Sequence, residues 1–219
     1  MLNGDLWRAS NALRTDTGIS ATDPEIRKLR INASGTIIGN RRLRLIRRLL
    51  TGQLRSKGEL GYVISHGKTQ YLTGFVYAIN GQGEAAGGCV SKGQTRATVF
   101  KNGIATVILG LPSHAVGINS AARVVGSYQP PGYNRRRLFS WSASAGAFDL
   151  TPDGYISAEA AAINNRGDIL GFGETASGKS GYFLLTPDPD GALRSQPLIT
   201  TSSSSASVSH EVLLADPRR

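Results

Sequence analysis

Apolar residues in this chain come in short runs that alternate with polar ones, and glycine closes most of them. Period-two alternation places Tyr62 with Ile64, Thr98 with Phe100, Phe139 with Trp141 and Tyr182 with Leu184, each pair on one face of a strand. One phrase recurs four times between such runs: INASGTIIG from Ile31, INGQGEAAG from Ile79, INSAARVVG from Ile118 and INNRGDILG from Ile163. The steps between copies are 48, 39 and 45 residues. Regular self-similarity at this period predicts a repeat architecture.

Turn chemistry explains the phrase. An asparagine at a strand end can bond the backbone two residues on and start a turn, which assigns that role to Asn32, Asn80, Asn119 and Asn164. A glycine three residues later can take positive φ, which gives Gly35, Gly83 and Gly167 their place. Two apolar residues then open the return strand. Ala122 stands where the other copies have glycine, so the third turn is expected to differ. A second β-rich hairpin follows each phrase, beginning near Gly61, Arg96, Arg137 and Gly181. Two hairpins per copy give four strands, the size of a propeller blade. The predicted fold is all-β, a propeller-like array of four repeats of roughly 40–48 residues.

The phrases A-I-N-x-x-G-x-[IVL]-[IVL]-G and h-a-F-x-W, with a following Gly turn and Leu, resemble the HAF repeat over about Glu25 to Leu193. That resemblance implies a β-propeller-like, extracellular or cell-envelope repeat and supplies no catalytic residues. The sequence departs from the pattern at Ala122, at the small pair Ala85–Ala86, and at Ile64 and Leu184, where the aromatic is lost. A closed ring of four, an open stack and part of a larger propeller all remain open, and an open end exposes sheet edges that favour self-association.

The expected boundaries are an N-terminal segment at 1–24, a repeat domain at 25–199 and a Ser-rich flexible tail at 200–219. In the first segment Leu6, Trp7 and Leu13 offer apolar contacts for a closing strand or short helix.

Composition narrows the function classes. The chain has 219 residues, 40% of them apolar, with 27 glycines and one cysteine. A single cysteine excludes an intrachain disulfide framework and any multi-cysteine zinc site. No apolar stretch approaches the roughly 20 residues of a membrane helix, and no export signal is visible at the start. The net charge of +10 is local: ten basic residues and no acid lie between Ile26 and Lys57, and the rest of the chain balances. That window contains an insertion of about a dozen residues in the first repeat. There Leu43, Ile46 and Leu50 share one side of a helical wheel, opposite Arg41, Arg44, Arg47 and Arg48, which predicts a short basic amphipathic helix. It suits nucleic acid or an anionic surface, or a solvated face.

Other motifs carry less. GETASGKS, from Gly173 to Ser180, matches a phosphate-binding loop, but a β-rich run follows where a helix is required. The register makes it a hairpin loop. His66, His114 and His210 lie in unrelated contexts without metal-ligand spacing, and Cys89 lacks a nearby base. The third repeat's loop places Tyr133 beside Arg135 and Arg136, a combination able to stack on bases or sugars. The expectation is a non-enzymatic scaffold or binding module for a protein or glycan ligand, without metal or cofactor. A nucleic-acid or anionic-surface binder is the alternative, and an enzyme of unknown class has least support.

Overall fold

The computed structural model describes residues 26–42, 59–91, 93–187 and 193–201. Sixteen strands there form four antiparallel sheets of four, each a simple up-and-down meander. The first sheet is β1 (Ile26–Ile31), β2 (Ile37–Arg42), β3 (Glu59–Ser65) and β4 (Lys68–Tyr71). The second is β5 (Phe75–Ile79), β6 (Ala85–Ser91), β7 (Gln94–Lys101) and β8 (Ile104–Val107). The third is β9 (Ser113–Ile118), β10 (Val124–Tyr128), β11 (Arg137–Ser142) and β12 (Gly146–Asp149). The fourth is β13 (Tyr155–Ile163), β14 (Ile169–Thr175), β15 (Ser180–Pro187) and β16 (Leu193–Thr201). One sequence repeat therefore makes one blade, and the four blades form a propeller-like array.

Successive blades pack face to face, and small residues let them approach. Ile38, Val76 and Phe100 join the first two blades, Ala86, Ala97, Ile118 and Phe139 the middle two, and Val125, Leu138, Ala158 and Phe183 the last two. In each junction the first strand of the following blade lies on the second and third strands of the blade before it: β5 on β2 and β3, β9 on β6 and β7, β13 on β10 and β11. Among the described residues no comparable packing joins the fourth blade to the first.

The asparagine phrase closes the first hairpin of every blade. Each Asn N–H donates to the carbonyl four residues on, and the residue at the glycine position donates back to the Asn carbonyl. The third turn keeps this geometry. Ala122 adopts φ +54° and its N–H donates to the Asn119 carbonyl at 3.0 Å. The expectation of a different turn is thus corrected: the asparagine bonds hold an alanine in a left-handed conformation that costs about 1–2 kcal/mol.

The glycine ending each phrase has a packing role. At Gly171 a Cβ would fall 2.3 Å from Cζ of Phe183, and at Gly126 2.7 Å from Cε1 of Phe139. Gly171 pairs with Phe183 and Gly126 with Phe139, so each ring lies over a bare backbone. This register places Phe183, not Tyr182, in the position of Phe139. Tyr182 and Leu184 do share a face, but it is the one turned away from the third blade, since a one-residue step reverses a side chain's direction.

The basic helix expected in the first repeat falls largely on residues 43–58, outside those described. Arg41 is corrected: it belongs to β2, pairing with Ile26 and Leu60, because the ladder continues through it. The segments 1–25 and 202–219 also lie outside the described residues.

Candidate functional site

Two features stand out: a run of bonds linking the asparagine turns, and a cleft between the second and third blades. Each turn asparagine uses both ends of its amide. Oδ1 accepts from the backbone N–H groups two and four residues on, as Asn119 does from Ala121 at 3.1 Å and Arg123 at 2.9 Å. In the first three turns Nδ2 reaches the next blade. Asn32 donates to the carbonyl of Asn80 at 2.9 Å, Asn80 to Asn119 at 3.2 Å, and Asn119 to Asn164 at 3.2 Å. The sequence steps of 48, 39 and 45 residues are the spans of these bonds. The turns at Gly35, Gly83 and Gly167 are left-handed, with φ of +78°, +81° and +93°.

Acidic residues brace two of the turns. Glu84 accepts from Asn80 Nδ2 at 2.9 Å and pairs with Lys101 at 2.7 Å. The Lys101 bond first, and then the Asn80 amide, hold the Glu84 carboxyl below its usual range. Asp168 accepts from Asn164 Nδ2 at 2.8 Å and from Arg166, and these bonds lower its carboxyl likewise.

The cleft has a volume of about 310 Å³ and is lined by Gln94, Thr95, Ser113, His114, Tyr128 and Arg136, among others. It shares Gln94, Pro112 and Gln129 with a wider hollow of about 580 Å³ that is also bounded by Pro130, Pro131, Tyr133 and Asn134. The β10–β11 loop builds that outer wall. Tyr133 N–H donates to the Pro130 carbonyl at 3.2 Å across a turn whose Gly132 has φ +71°, the geometry expected of Pro-Gly at the centre of a type II turn. Gln129 fastens the loop twice: its N–H donates to the Pro112 carbonyl at 2.8 Å and its Nε2 to the Tyr133 carbonyl at 2.9 Å. Tyr133 is left 42% exposed at the rim.

The arginines beside Tyr133 are engaged by side chains of other strands. Arg135 Nη1 lies 2.5 Å from Glu174 Oε2 on β14. Arg136 Nη1 lies 3.0 Å from His114 Nδ1 and 3.7 Å from Glu159 on β13, while its carbonyl accepts from Ala158 N–H at 3.0 Å. Both tie the third blade to the fourth. Burial first, and then the Arg136 charge, lower the His114 pKa to about 4, so its imidazole is neutral at pH 7. Tyr128 donates to Asp149 Oδ2 at 2.8 Å, and burial followed by that carboxylate raises its pKa to about 12. Neither group is poised to exchange a proton near neutrality.

Arg44, Arg47 and Arg48 lie outside the described residues, and Arg41 is exposed on β2, far along the chain from the loop that holds Tyr133. GETASGKS is the β14–β15 hairpin: Gly178 N–H donates to the Thr175 carbonyl at 2.9 Å and Ser180 begins a strand. His66 is exposed in a turn with Ser65 Oγ 2.9 Å from its Nδ1, and half-buried Cys89 has the Thr98 hydroxyl 3.2 Å from Sγ. No motif marks His114, Gln94 or Gln129 as site neighbours. His114 alternates along β9 like any strand residue, and only blade packing brings Gln94 to it.

No family model matches the chain, and no curated protein does. Among solved structures, the β-propeller domain of the Trilobed protease from Pyrococcus furiosus is similar, with 12% identity and a TM-score of 0.49. The match covers 75% of this chain and 49% of that one, so this chain spans about half the length of that structure.

Proposed function

We propose that the protein is a non-enzymatic scaffold of HAF-like repeats whose blade loops present a binding surface to a protein or glycan ligand. The observation carrying this reading is the Tyr133 rim: an exposed aromatic ring on a loop fixed by Gln129, above a cleft bordered by prolines and amides. An aromatic face with a few well-placed polar groups is the usual make-up of a ligand site. The amides of Gln94 and Asn134 can both donate and accept, which suits the hydroxyls of a sugar ring. Because Arg135 and Arg136 are engaged by Glu174, His114 and Glu159, the surface does not rely on cationic capture. This favours the glycan among the two ligand classes.

A glycan array probed with the full chain and with Tyr133→Ala tests the reading. Binding by the wild-type chain that falls at least tenfold in the variant, with an unchanged circular dichroism spectrum, supports it. Binding indifferent to Tyr133, or absent on every glycan, overturns the glycan assignment.

A further inference from the structure

The two ends of the blade array are complementary to each other. Within the chain, the isoleucine before each turn asparagine belongs to the seat of its blade on the one before. Ile79 packs on the core between the first and second blades, Ile118 is in the core between the second and third, and Ile163 packs on the core between the third and fourth. Ile31 holds the same place in the first blade, yet it is 66% exposed, with Leu29 beside it 49% exposed.

At the opposite end, the outer face of the fourth blade carries an apolar patch, flanked by Glu159 and Glu174. Phe172 and Tyr182 stand opposite each other in the β14–β15 ladder, with ring centroids 5.3 Å apart, and remain 44% and 46% exposed. Leu170 and Leu184 pair on the same face. The corresponding face of the third blade, with Val125 and Leu138, is buried under β13.

The hydrogen-bond ladder ends in the same two places. Asn80 Nδ2 serves both its own blade, at Glu84, and the next, at Asn119. Asn164 Nδ2 donates to its own Asp168, and among the described residues no carbonyl of a next blade receives its second proton. Conversely, the Asn80 carbonyl accepts from Gly83 N–H and from Asn32, whereas the Asn32 carbonyl accepts only from Gly35 N–H among the described residues. Asn80 and Asn119, flanked on both sides, are buried; Asn32 is half-buried and Asn164 exposed.

One end thus offers a spare donor beside an aromatic face, and the other a spare acceptor beside exposed aliphatic side chains. We infer that the fourth blade of one copy seats the first blade of a second copy in the order of the junctions within the chain, with the Phe172–Tyr182 pair where those junctions hold Asn40 and Gly61, Gly88 and Ala97, and Ser127 and Leu138. A contact between unlike surfaces must be made twice to close a pair, which gives a two-fold ring of eight blades, within the ordinary propeller range.

Sedimentation equilibrium of the full chain tests this. The expected mass is twice the chain's 23.2 kDa. Phe172→Glu with Tyr182→Glu, or Ile31→Glu alone, should each raise the dissociation constant about 30-fold or more while the circular dichroism spectrum stays that of the wild type. A second measurement fixes the pairing. Ile31→Cys with Leu170→Cys, in a Cys89→Ser background, should oxidise to a disulfide between chains, because Ile163 lies against Val125 at the corresponding place within the chain. A wild-type chain that stays at single mass at millimolar concentration, association indifferent to both sets of substitutions, or a disulfide formed only within one chain would each overturn the inference.

Discussion

The side-chain amide of Asn80 donates to the backbone carbonyl of Asn119, 39 residues further on, at 3.2 Å. Asn80 is also the residue whose Oδ1 closes its own hairpin, accepting from Gln82 at 3.1 Å and Glu84 at 2.9 Å. One side chain therefore shapes a turn and positions the next blade. That double duty accounts for the same residue type at the same point of every copy.

It also makes the cost of removal depend on position. Asn119→Ala leaves two backbone donors without their acceptor and breaks the bond to Asn164, all at a buried site. A loss of about 3 kcal/mol is expected. Asn164→Ala loses the local bonds but no link to a following blade within the chain, so in dilute protein its cost should be smaller by about 1 kcal/mol. Urea unfolding of the two variants checks this, and equal losses would separate the turns from the ladder.

Ala122→Gly should stabilise the fold. It relieves a φ of +54° in a residue with a Cβ, and the greater freedom of glycine in the unfolded chain offsets part of the gain. The expected balance is about 1 kcal/mol in favour of the variant, read as a rise in the urea midpoint without a change in slope. A neutral or lower midpoint would show that the turn holds alanine without strain.

Gly171→Ala should destabilise by about 2–3 kcal/mol, because its Cβ would meet the Phe183 ring at 2.3 Å in a packed junction. Adding Phe183→Leu makes room for the methyl group. The double variant should then be less destabilised than the sum of the two single changes, as measured by a double-mutant cycle. Strict additivity would mean that ring and glycine do not oppose each other.

His114 sets a pH dependence. Its folded pKa of about 4 lies below the ordinary 6.5, so the unfolded chain binds the proton first as the pH falls. Its contribution is present in full above pH 6.5 and is lost between 6.5 and about 4, amounting to about 2–3 kcal/mol. His114→Gln should flatten the stability curve across that interval. Parallel curves for the two proteins would show that the imidazole ionises alike in both states.

The array was legible in the sequence because its signals are local. Alternation of period two marks strands, and Asn followed by Gly marks a hairpin, whatever the rest of the chain does. The four blades around Asn32, Asn80, Asn119 and Asn164 follow from that, as does the reading of GETASGKS as a loop. Contacts between blades carry no such mark. That Phe183 rather than Tyr182 faces the third blade depends on a one-residue register fixed by Gly171 lying opposite. Ala122 keeps its turn because Asn119 holds it through two side-chain bonds that local propensity does not weigh. Tyr133 could be picked out as an exposed loop aromatic, but the carboxylates that pair with Arg135 and Arg136 come from β13 and β14, more than 20 residues along the chain. The amino-acid order determines which hairpins form, since turn and strand preferences act over a few residues; tertiary packing decides which side chains meet, since that depends on how separate sheets stack.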